Sequence, residues 1–414
     1  MSERKLTLWD AVGIGLGNII GAGIFVMAGS TIDLAGPGAL ISFLFTAMIA
    51  FSVALNSAEL SSEFPDKEGG VYTFAKETMG NTVGFLVGWM RMISYVFSGS
   101  AVALGFASYV FPSISIPIAR TLIIMLSLIY SRGLKIASEL EKYISLINVT
   151  GLLIFAIVIL SVSTFSTSHF TPVAPHGING ILEASSLAFF AYSGFNTVAT
   201  LTPSVKDGVR NVPRAIILSL SISSIIYILI VFSMLYGVPW QKFGVQGDPL
   251  RFALILVHAP YWTVAIVSGV ALLSTFSVTL SLIIASVRTT EQIVKDKLIP
   301  RTGRFTLPAI SSFMILSLFF GNVEVLGLIS NFGTIFSYLI TPLAVFIGRK
   351  RLKPTFRSPF YPWVQLFSLM SSLVIMSVLG DESLVVGLVS LLIGLIIHVL
   401  HVEINFFERE RSKK

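Results

Sequence analysis

Long apolar stretches, separated by short polar segments, run through the whole chain. Most of them approach the roughly 20 residues that a helix needs to cross the hydrocarbon core of a bilayer. The pattern therefore predicts an all-α integral membrane protein with about twelve transmembrane helices, of which the fourth and the ninth are short. The predicted spans are 8–32, 38–62, 82–111, 116–131, 143–163, 178–202, 213–236, 261–287, 306–321, 324–347, 361–379 and 383–403.

Two of these stretches are interrupted by small residues in corresponding places. The first contains Gly21-Ala22-Gly23, and the sixth contains Ser193-Gly194. A weakened membrane helix frees backbone N–H and C=O groups in the bilayer, which is tolerated only where they line a cavity or bind something. Paired interruptions of this kind indicate the binding site of a transporter. Because the two spans are five apart, they enter from opposite sides, which predicts an inverted repeat.

Composition agrees with a membrane protein. Hydrophobic residues make up 54% of the 414 residues and charged residues only 12%, against roughly 25% charged residues in soluble chains. The absence of Cys excludes disulfides, thiolate metal sites and Cys nucleophiles. The chain has no HExxH, GxSxG or P-loop motif, so we expect neither an enzyme nor an ATP-driven pump. We expect no cofactor and no resident metal.

Basic residues are distributed asymmetrically between the predicted loops. Of the 28 Lys and Arg residues, 24 lie at the termini or in even-numbered loops, and only Lys242 and Arg251 lie in odd-numbered loops. The positive-inside rule then predicts that both termini are cytoplasmic, in a multi-pass protein of the plasma membrane. The same asymmetry explains the net charge of +7 without a nucleic-acid partner; the lipid bilayer is the partner expected.

Several motifs resemble those of the amino acid–polyamine–organocation (APC) superfamily. The resemblance implies a LeuT-type fold and a secondary active transporter, a permease or an antiporter, that moves amino acids by alternating access. It implies a ten-helix core over residues 1–350, with repeats at 8–163 and 178–347, and two more helices and a short cytoplasmic tail over 351–414. The motifs are Gly17-Asn-Ile-Ile-Gly-Ala-Gly-Ile-Phe25, Ala58-Glu59-Leu60, Phe64-Pro65, Gly69-Gly70-Val-Tyr72, Phe189-Phe-Ala-Tyr-Ser-Gly-Phe195, Arg210-Asn-Val-Pro213-Arg-Ala-Ile216 and Asp296-Lys-Leu-Ile-Pro300.

The resemblance also implies how the substrate is held. N–H groups around Gly21, Ala22 and Gly23 open a half-helix whose positive dipole end favours a carboxylate. The substrate ammonium would meet carbonyl oxygens of the two interrupted helices, and aromatic residues of the sixth helix would form a gate or a pocket wall. The residues involved are Ile19, Phe190 and Ser193 for the carbonyls, and Tyr192 and Phe195 for the aromatic wall.

Side-chain chemistry leaves the substrate open. Asn196 serves either in a polar network inside the bundle or in a substrate contact. No acidic side chain is evident in the sixth-helix pocket, so a neutral amino acid is favoured over a cation. A polyamine or organocation permease, and a transporter-like nutrient receptor, remain the alternative functions.

Coupling residues depart from the family pattern. Proton-coupled relatives carry a Lys on the fifth helix where this chain has Asn148, and an amide cannot carry a proton. Ser274 and Ser277, with Thr150 and Thr275, offer oxygens to a sodium ion or simply join helices. Arg91 in the third span supplies a fixed charge, binds an acidic group, or snorkels to the cytoplasm. Glu59, near the inner end of the second helix, is expected in a gate network.

Overall fold

A computed structural model describes residues 5–64, 70–133, 138–300, 303–351 and 354–411. Within these ranges the chain is helical, and the one β-type pairing is an isolated bridge between Leu6 and Val205. Part of the sequence pattern falls outside the described residues: Pro65 and Gly69 of the family-like loop, and the basic residues Arg4, Lys67, Lys135, Arg301, Lys353, Lys413 and Lys414.

The α-helices are numbered in chain order. They are α1 Leu8–Ile19, α2 Ala22–Ala35, α3 Ala39–Glu63, α4 Gly70–Met79, α5 Asn81–Val110, α6 Ser115–Ser131, α7 Ser138–Val162, α8 Gly177–Tyr192, α9 Gly208–Gly237, α10 Pro249–Leu256, α11 Tyr261–Lys295, α12 Thr306–Ser317, α13 Val323–Gly348, α14 Trp363–Ser377 and α15 Asp381–Arg411. Short 3₁₀ segments lie at Gly36–Gly38, Pro112–Ile114, Thr167–Phe170, Phe195–Ser204, Trp240–Lys242 and Gly303–Phe305.

Eight helical runs in the described ranges are long and apolar enough to cross a membrane, so the protein is multi-pass. One of them, Ala22–Glu63, joins the second half of the first predicted span to the whole of the second. The predicted spans without a long helix of their own are the interrupted sixth, the ninth with 12 residues in α12, and the eleventh with 15 residues in α14. The count of twelve stays a prediction.

Both interruptions lie where the small residues predicted them. Helix α1 ends at Ile19 and α2 begins at Ala22, with Gly21 capping the new helix. Helix α8 ends at Tyr192, and the chain continues as a 3₁₀ segment from Phe195. A Cβ on Gly194 would overlap the carbonyl oxygen of Asn18. The two interruptions are therefore in direct contact, which a larger residue at 194 would prevent.

Packing around the interruptions depends on close backbone approach. Helix α2 packs along α8, and a Cβ on Gly23 would overlap the Cα of Ala191. Gly23 thus has a packing role whatever it binds. Helix α5 packs against α11 and α13 and is buried over most of its 30 residues, which places its polar side chains inside the bundle.

Candidate functional site

The two helix interruptions open onto one cavity of about 150 Å³, enclosed by α1, α2, α5, α7, α8, α11 and α13. Engineered cavities of about this size hold a molecule as large as benzene, so the space suits a small solute. Ten of the residues predicted to form the site line it: Ile19, Gly21, Ala22, Gly23, Arg91, Asn148, Phe190, Ser193, Ser274 and Ser277.

The N-terminal end of α2 forms one wall of the cavity. Gly21 occupies the N-cap position, and no side chain caps this end of the helix. The first N–H groups of any helix lack an intrahelical acceptor, and the helix dipole makes this end positive. The wall therefore attracts an anionic group.

The carbonyl oxygens predicted to face an ammonium group already have donors within the protein. The buried Tyr227 hydroxyl lies 2.5 Å from the Ile19 oxygen and 2.9 Å from that of Ala191. The Phe190 oxygen accepts a hydrogen bond from the Ser193 hydroxyl at 3.0 Å, and the Ser193 oxygen lies 3.4 Å from the Tyr338 hydroxyl. Because a carbonyl has two lone pairs, the Ile19 and Ser193 oxygens can each accept one further bond. The Phe190 oxygen also accepts the backbone N–H of Ser193 at 3.5 Å.

Asn148 connects α7 to the first interruption. Its Nδ2 donates to the Ile20 carbonyl oxygen at 2.9 Å and to the Ser274 hydroxyl at 3.1 Å. The Ile20 carbonyl oxygen can only accept a hydrogen bond, so the Asn148 side chain must be oriented with its NH₂ group towards that oxygen. Its Oδ1 is buried and has no partner among the described residues. Asn148 and Ser274 thus form a helix-to-helix contact beside the cavity, whereas Thr150 is exposed on another face of α7.

Arg91 lies in the interior of the bundle and lines the cavity, with 7% of its surface exposed. Its Nη1 donates to the Thr334 hydroxyl at 3.2 Å and its Nη2 to the Tyr95 hydroxyl at 2.8 Å, while its guanidinium lies 4.5 Å from the centre of the Tyr95 ring. Of the alternatives left open for Arg91, this position does not correspond to a side chain that snorkels to the cytoplasm. No carboxylate in the described part of the chain forms an ion pair with it.

Three of the predicted residues near the sixth-helix interruption lie behind the cavity wall. Phe195 packs against the ring of Tyr338, with centroids 5.5 Å apart. Asn196 accepts a hydrogen bond from the Ser57 hydroxyl at 2.9 Å, which corresponds to the polar-network interpretation. Tyr192 is fully buried and packs against the ring of Tyr227 at 5.1 Å. These side chains support the interrupted helix from outside the cavity.

Glu59 belongs to a separate network near the end of α3. Its carboxylate, 1% exposed, accepts hydrogen bonds from Arg349 Nε at 2.6 Å and Nη2 at 2.8 Å. It also accepts bonds from the backbone N–H of Ser358 at 2.8 Å and its hydroxyl at 2.6 Å. Glu59 therefore fastens α3 to the end of α13 and to the segment that leads into α14.

Several residues of the site and of the Glu59 network escaped prediction from the sequence. Tyr95 stands four residues after Arg91, where two side chains on a helix meet, so the sequence did hold a signal for this contact. Tyr227, Thr334 and Arg349 come from distant helices, and no local pattern marks them. The cavity lining also includes Asn18, Ser94, Ser98, Glu141, Thr197 and Ser281.

Comparison with known proteins places this architecture in a family. The amino acid permease family matches residues 6–391. A methylthioribose transporter of Bacillus subtilis is 31% identical over 402 aligned residues, covering 88% of this chain and 86% of the relative. A branched-chain amino acid permease of the same organism is 28% identical, covering 96% and 93%. A vacuolar cationic amino acid transporter of Arabidopsis thaliana is 27% identical, covering 84% and 63%.

The match extends over nearly the whole chain and agrees with the motifs, the apolar helices and the two interruptions. It indicates a membrane transporter rather than an enzyme. The relatives carry three different kinds of solute in their names, so the family alone does not define the substrate. The chain belongs to the amino acid permease family of the APC superfamily.

Proposed function

We propose that this protein is a secondary active transporter that moves amino acids across the plasma membrane by alternating access. One observation carries the proposal: both helix interruptions line the same small-molecule cavity, and the N-terminal end of α2 there has no side-chain cap. Carrier sites of this kind lie between discontinuous helices near the middle of the bilayer. The substrate carboxylate binds at the N-terminal end of α2, and the ammonium group takes the remaining lone pairs of the Ile19 and Ser193 carbonyls, beside the Phe190 carbonyl.

Uptake into proteoliposomes tests this function directly. Purified protein is reconstituted, and radiolabelled glutamate, glutamine, leucine, lysine and putrescine are offered in parallel. Saturable entry of at least one amino acid, above that of empty liposomes, is the expected result. Entry of putrescine alone would favour the polyamine permease. Saturable binding of an amino acid without entry would favour the nutrient receptor, and neither binding nor entry of any amino acid would reject the proposal.

Gly21 offers a test of the carboxylate site. A Cβ there would lie 2.7 Å from Val278 Cγ2, and 3.6 and 3.8 Å from the carbonyl oxygens of Gly17 and Asn18, so Gly21→Ala requires Val278 to shift, and folding of the variant is checked by its thermal unfolding midpoint in detergent. The added methyl group would obstruct the approach of a carboxylate to the N–H groups of α2, and we expect at least a tenfold loss of amino-acid affinity. Gly13→Ala, whose Cβ would lie 3.6 Å from Lys142 Cγ outside the cavity, is the matched control. Equal affinity in the two variants would contradict the binding mode.

The proposed fold is the LeuT-type arrangement of two inverted repeats, with both termini in the cytoplasm. In this orientation the loop around Thr167 is extracellular. A single Cys introduced at Thr167 in this Cys-free chain should be labelled by an impermeant reagent in intact cells. Labelling only in inside-out vesicles would reverse the assignment.

Exchange is the proposed mode of transport. The hydrogen bonds of Asn148 to Ile20 and Ser274 leave a fixed amide where proton-coupled relatives use a Lys. Trans-stimulation by unlabelled substrate, without dependence on proton or sodium gradients, is the expected result. Concentrative uptake driven by either ion would instead establish coupling through another group.

A further inference from the structure

Arg91 differs from the charged side chains that form ion pairs in the described part of the chain. Asp10 pairs with Lys142, Glu59 with Arg349, and Asp296 with Lys76. Arg91 is more than nine-tenths buried, yet its partners in the described residues are hydroxyl groups and an aromatic ring. An ion buried in a bilayer protein without a counter-ion is costly and is normally functional. A cavity-lining guanidinium without a counter-ion therefore points to an anionic ligand.

The donors of Arg91 are only partly used. A guanidinium carries five N–H groups, and two of them bind Thr334 and Tyr95. The other three form a rigid fork, which suits the two oxygens of a carboxylate. Tyr95 accepts from Arg91, so its own hydroxyl proton is available for the same carboxylate. Both residues line the cavity.

A neutral amino acid cannot satisfy this cavity. Its single carboxylate would be held at the α2 N-terminus, and Arg91 on α5 would keep an uncompensated charge. Glu141 is the carboxylate among the described lining residues, but it forms no ion pair with Arg91 in the described part of the chain. It lies seven residues before Asn148 on α7, roughly 10 Å along the helix axis from the first interruption. A lysine-like side chain would meet charge of the same sign at Arg91.

We infer that the substrate is an acidic amino acid whose side-chain carboxylate binds the Arg91 guanidinium and the Tyr95 hydroxyl, while its α-carboxylate binds at the N-terminal end of α2. The inference rests on the proposed transport function and names its substrate class. It replaces the preference for neutral amino acids, which rested on the lack of an acidic side chain in the sixth-helix pocket. That lack argues against a cationic substrate but not against an anionic one.

Competition and uptake with matched substrates test the inference. Glutamate and glutamine have nearly the same shape and differ in the charge of the side chain. For the wild-type protein in proteoliposomes, we expect glutamate to be taken up at least tenfold better than glutamine, and lysine not to compete. Preference for glutamine or leucine would overturn the inference and leave amino-acid transport intact. Entry of no amino acid would reject the transport function itself.

Three variants test which residues cause the preference for glutamate over glutamine. Arg91→Gln should reduce the glutamate-to-glutamine ratio at least tenfold while glutamine uptake persists. Tyr95→Phe keeps the ring beneath Arg91 and should reduce the ratio less. Arg120→Gln is the control, because Arg120 stacks on Phe319 outside the cavity, and it should leave the ratio unchanged.

Two further outcomes would show that Arg91 has a role other than binding the side-chain carboxylate. If Arg91→Gln abolishes glutamate and glutamine uptake equally, the arginine holds the α-carboxylate or the fold, and the inference fails. If wild-type uptake of glutamine requires chloride, an inorganic anion is the ligand, and the inference fails again. Should Arg91→Gln not fold, Tyr95→Phe and Arg91→Lys decide: an unchanged ratio in both variants overturns the inference, and a reduced ratio supports it.

Discussion

Two arginines, Arg349 at the end of α13 and Arg91 within α5, have opposite surroundings. Arg349, 18% exposed, binds both carboxylate oxygens of Glu59 and stacks on the ring of Tyr361 at 4.0 Å. Arg91 is more deeply buried, and its partners among the described residues are two hydroxyl groups and the Tyr95 ring. A charge with its counter-ion built into the fold stabilises one arrangement of helices. A buried charge without a counter-ion in the fold can be compensated by a bound ligand, and the cavity beside Arg91 has room for such a ligand.

The strongest test of this comparison is to remove the counter-ion of Arg349. Glu59→Gln would leave a largely buried guanidinium without its charge partner, and breaking buried pairs costs about 3–5 kcal/mol. We expect the thermal unfolding midpoint in detergent to fall by several degrees. The double variant Glu59→Gln/Arg349→Met removes both charges and should recover part of the loss. An unchanged midpoint in the single variant would show that the pair does not hold these helices together.

Arg91→Met should have the opposite effect on stability. It removes a buried charge that no described carboxylate compensates, and such replacements are often neutral or stabilising by about 1 kcal/mol or more. We expect an unchanged or raised unfolding midpoint together with the loss of glutamate uptake, a trade-off typical of binding sites. A destabilisation as large as that of Glu59→Gln would make Arg91 a structural residue and remove the contrast.

The smallest effect is expected at a third charged group, Asp296, at the end of α11. Its carboxylate lies 2.8 Å from Lys76 Nζ and 2.5 Å from the Tyr72 hydroxyl. Burial alone would raise the pKa of Asp296, but the hydrogen bonds from Lys76 and Tyr72 outweigh it and hold this pKa below its usual value. Partly exposed pairs contribute about 0.2–1 kcal/mol, so Asp296→Asn should lower the unfolding midpoint only slightly.

The pH dependence of the Asp296 effect follows from the direction of its shift. A carboxylate whose pKa is lowered by folding contributes its stability above its unfolded pKa of about 3.9 and loses it as the pH falls through the folded value. The difference between wild type and Asp296→Asn should therefore be present at pH 7 and disappear in acid. A difference that grows on acidification would contradict the ion pair.

Much of the fold could be predicted because its determinants are local. The apolar stretches determined the long helices, and Gly21 and Ser193-Gly194 marked where two of them break, since glycine weakens a helix wherever it occurs. Arg91 was identified as an unusual charge for the same reason. The direction in which its side chain points could not be predicted from the sequence. A long side chain can extend to the membrane interface or into the bundle, and the packing of neighbouring helices decides which of the two occurs.

What the tertiary structure decided is which distant groups meet. Glu59 and Arg349 are 290 residues apart, and Tyr227 reaches Ile19 across 208 residues; no periodicity encodes such pairs. Phe195, Asn196 and Tyr192 follow a family-like motif, yet packing turns them behind the cavity wall. Hydrophobic patterns and helix propensities can be evaluated from residues that are close together in the sequence. The partner of a buried charge or hydroxyl depends on how the helices pack against one another. Helix packing is the reason that Arg91, and not Glu59, lies at the cavity.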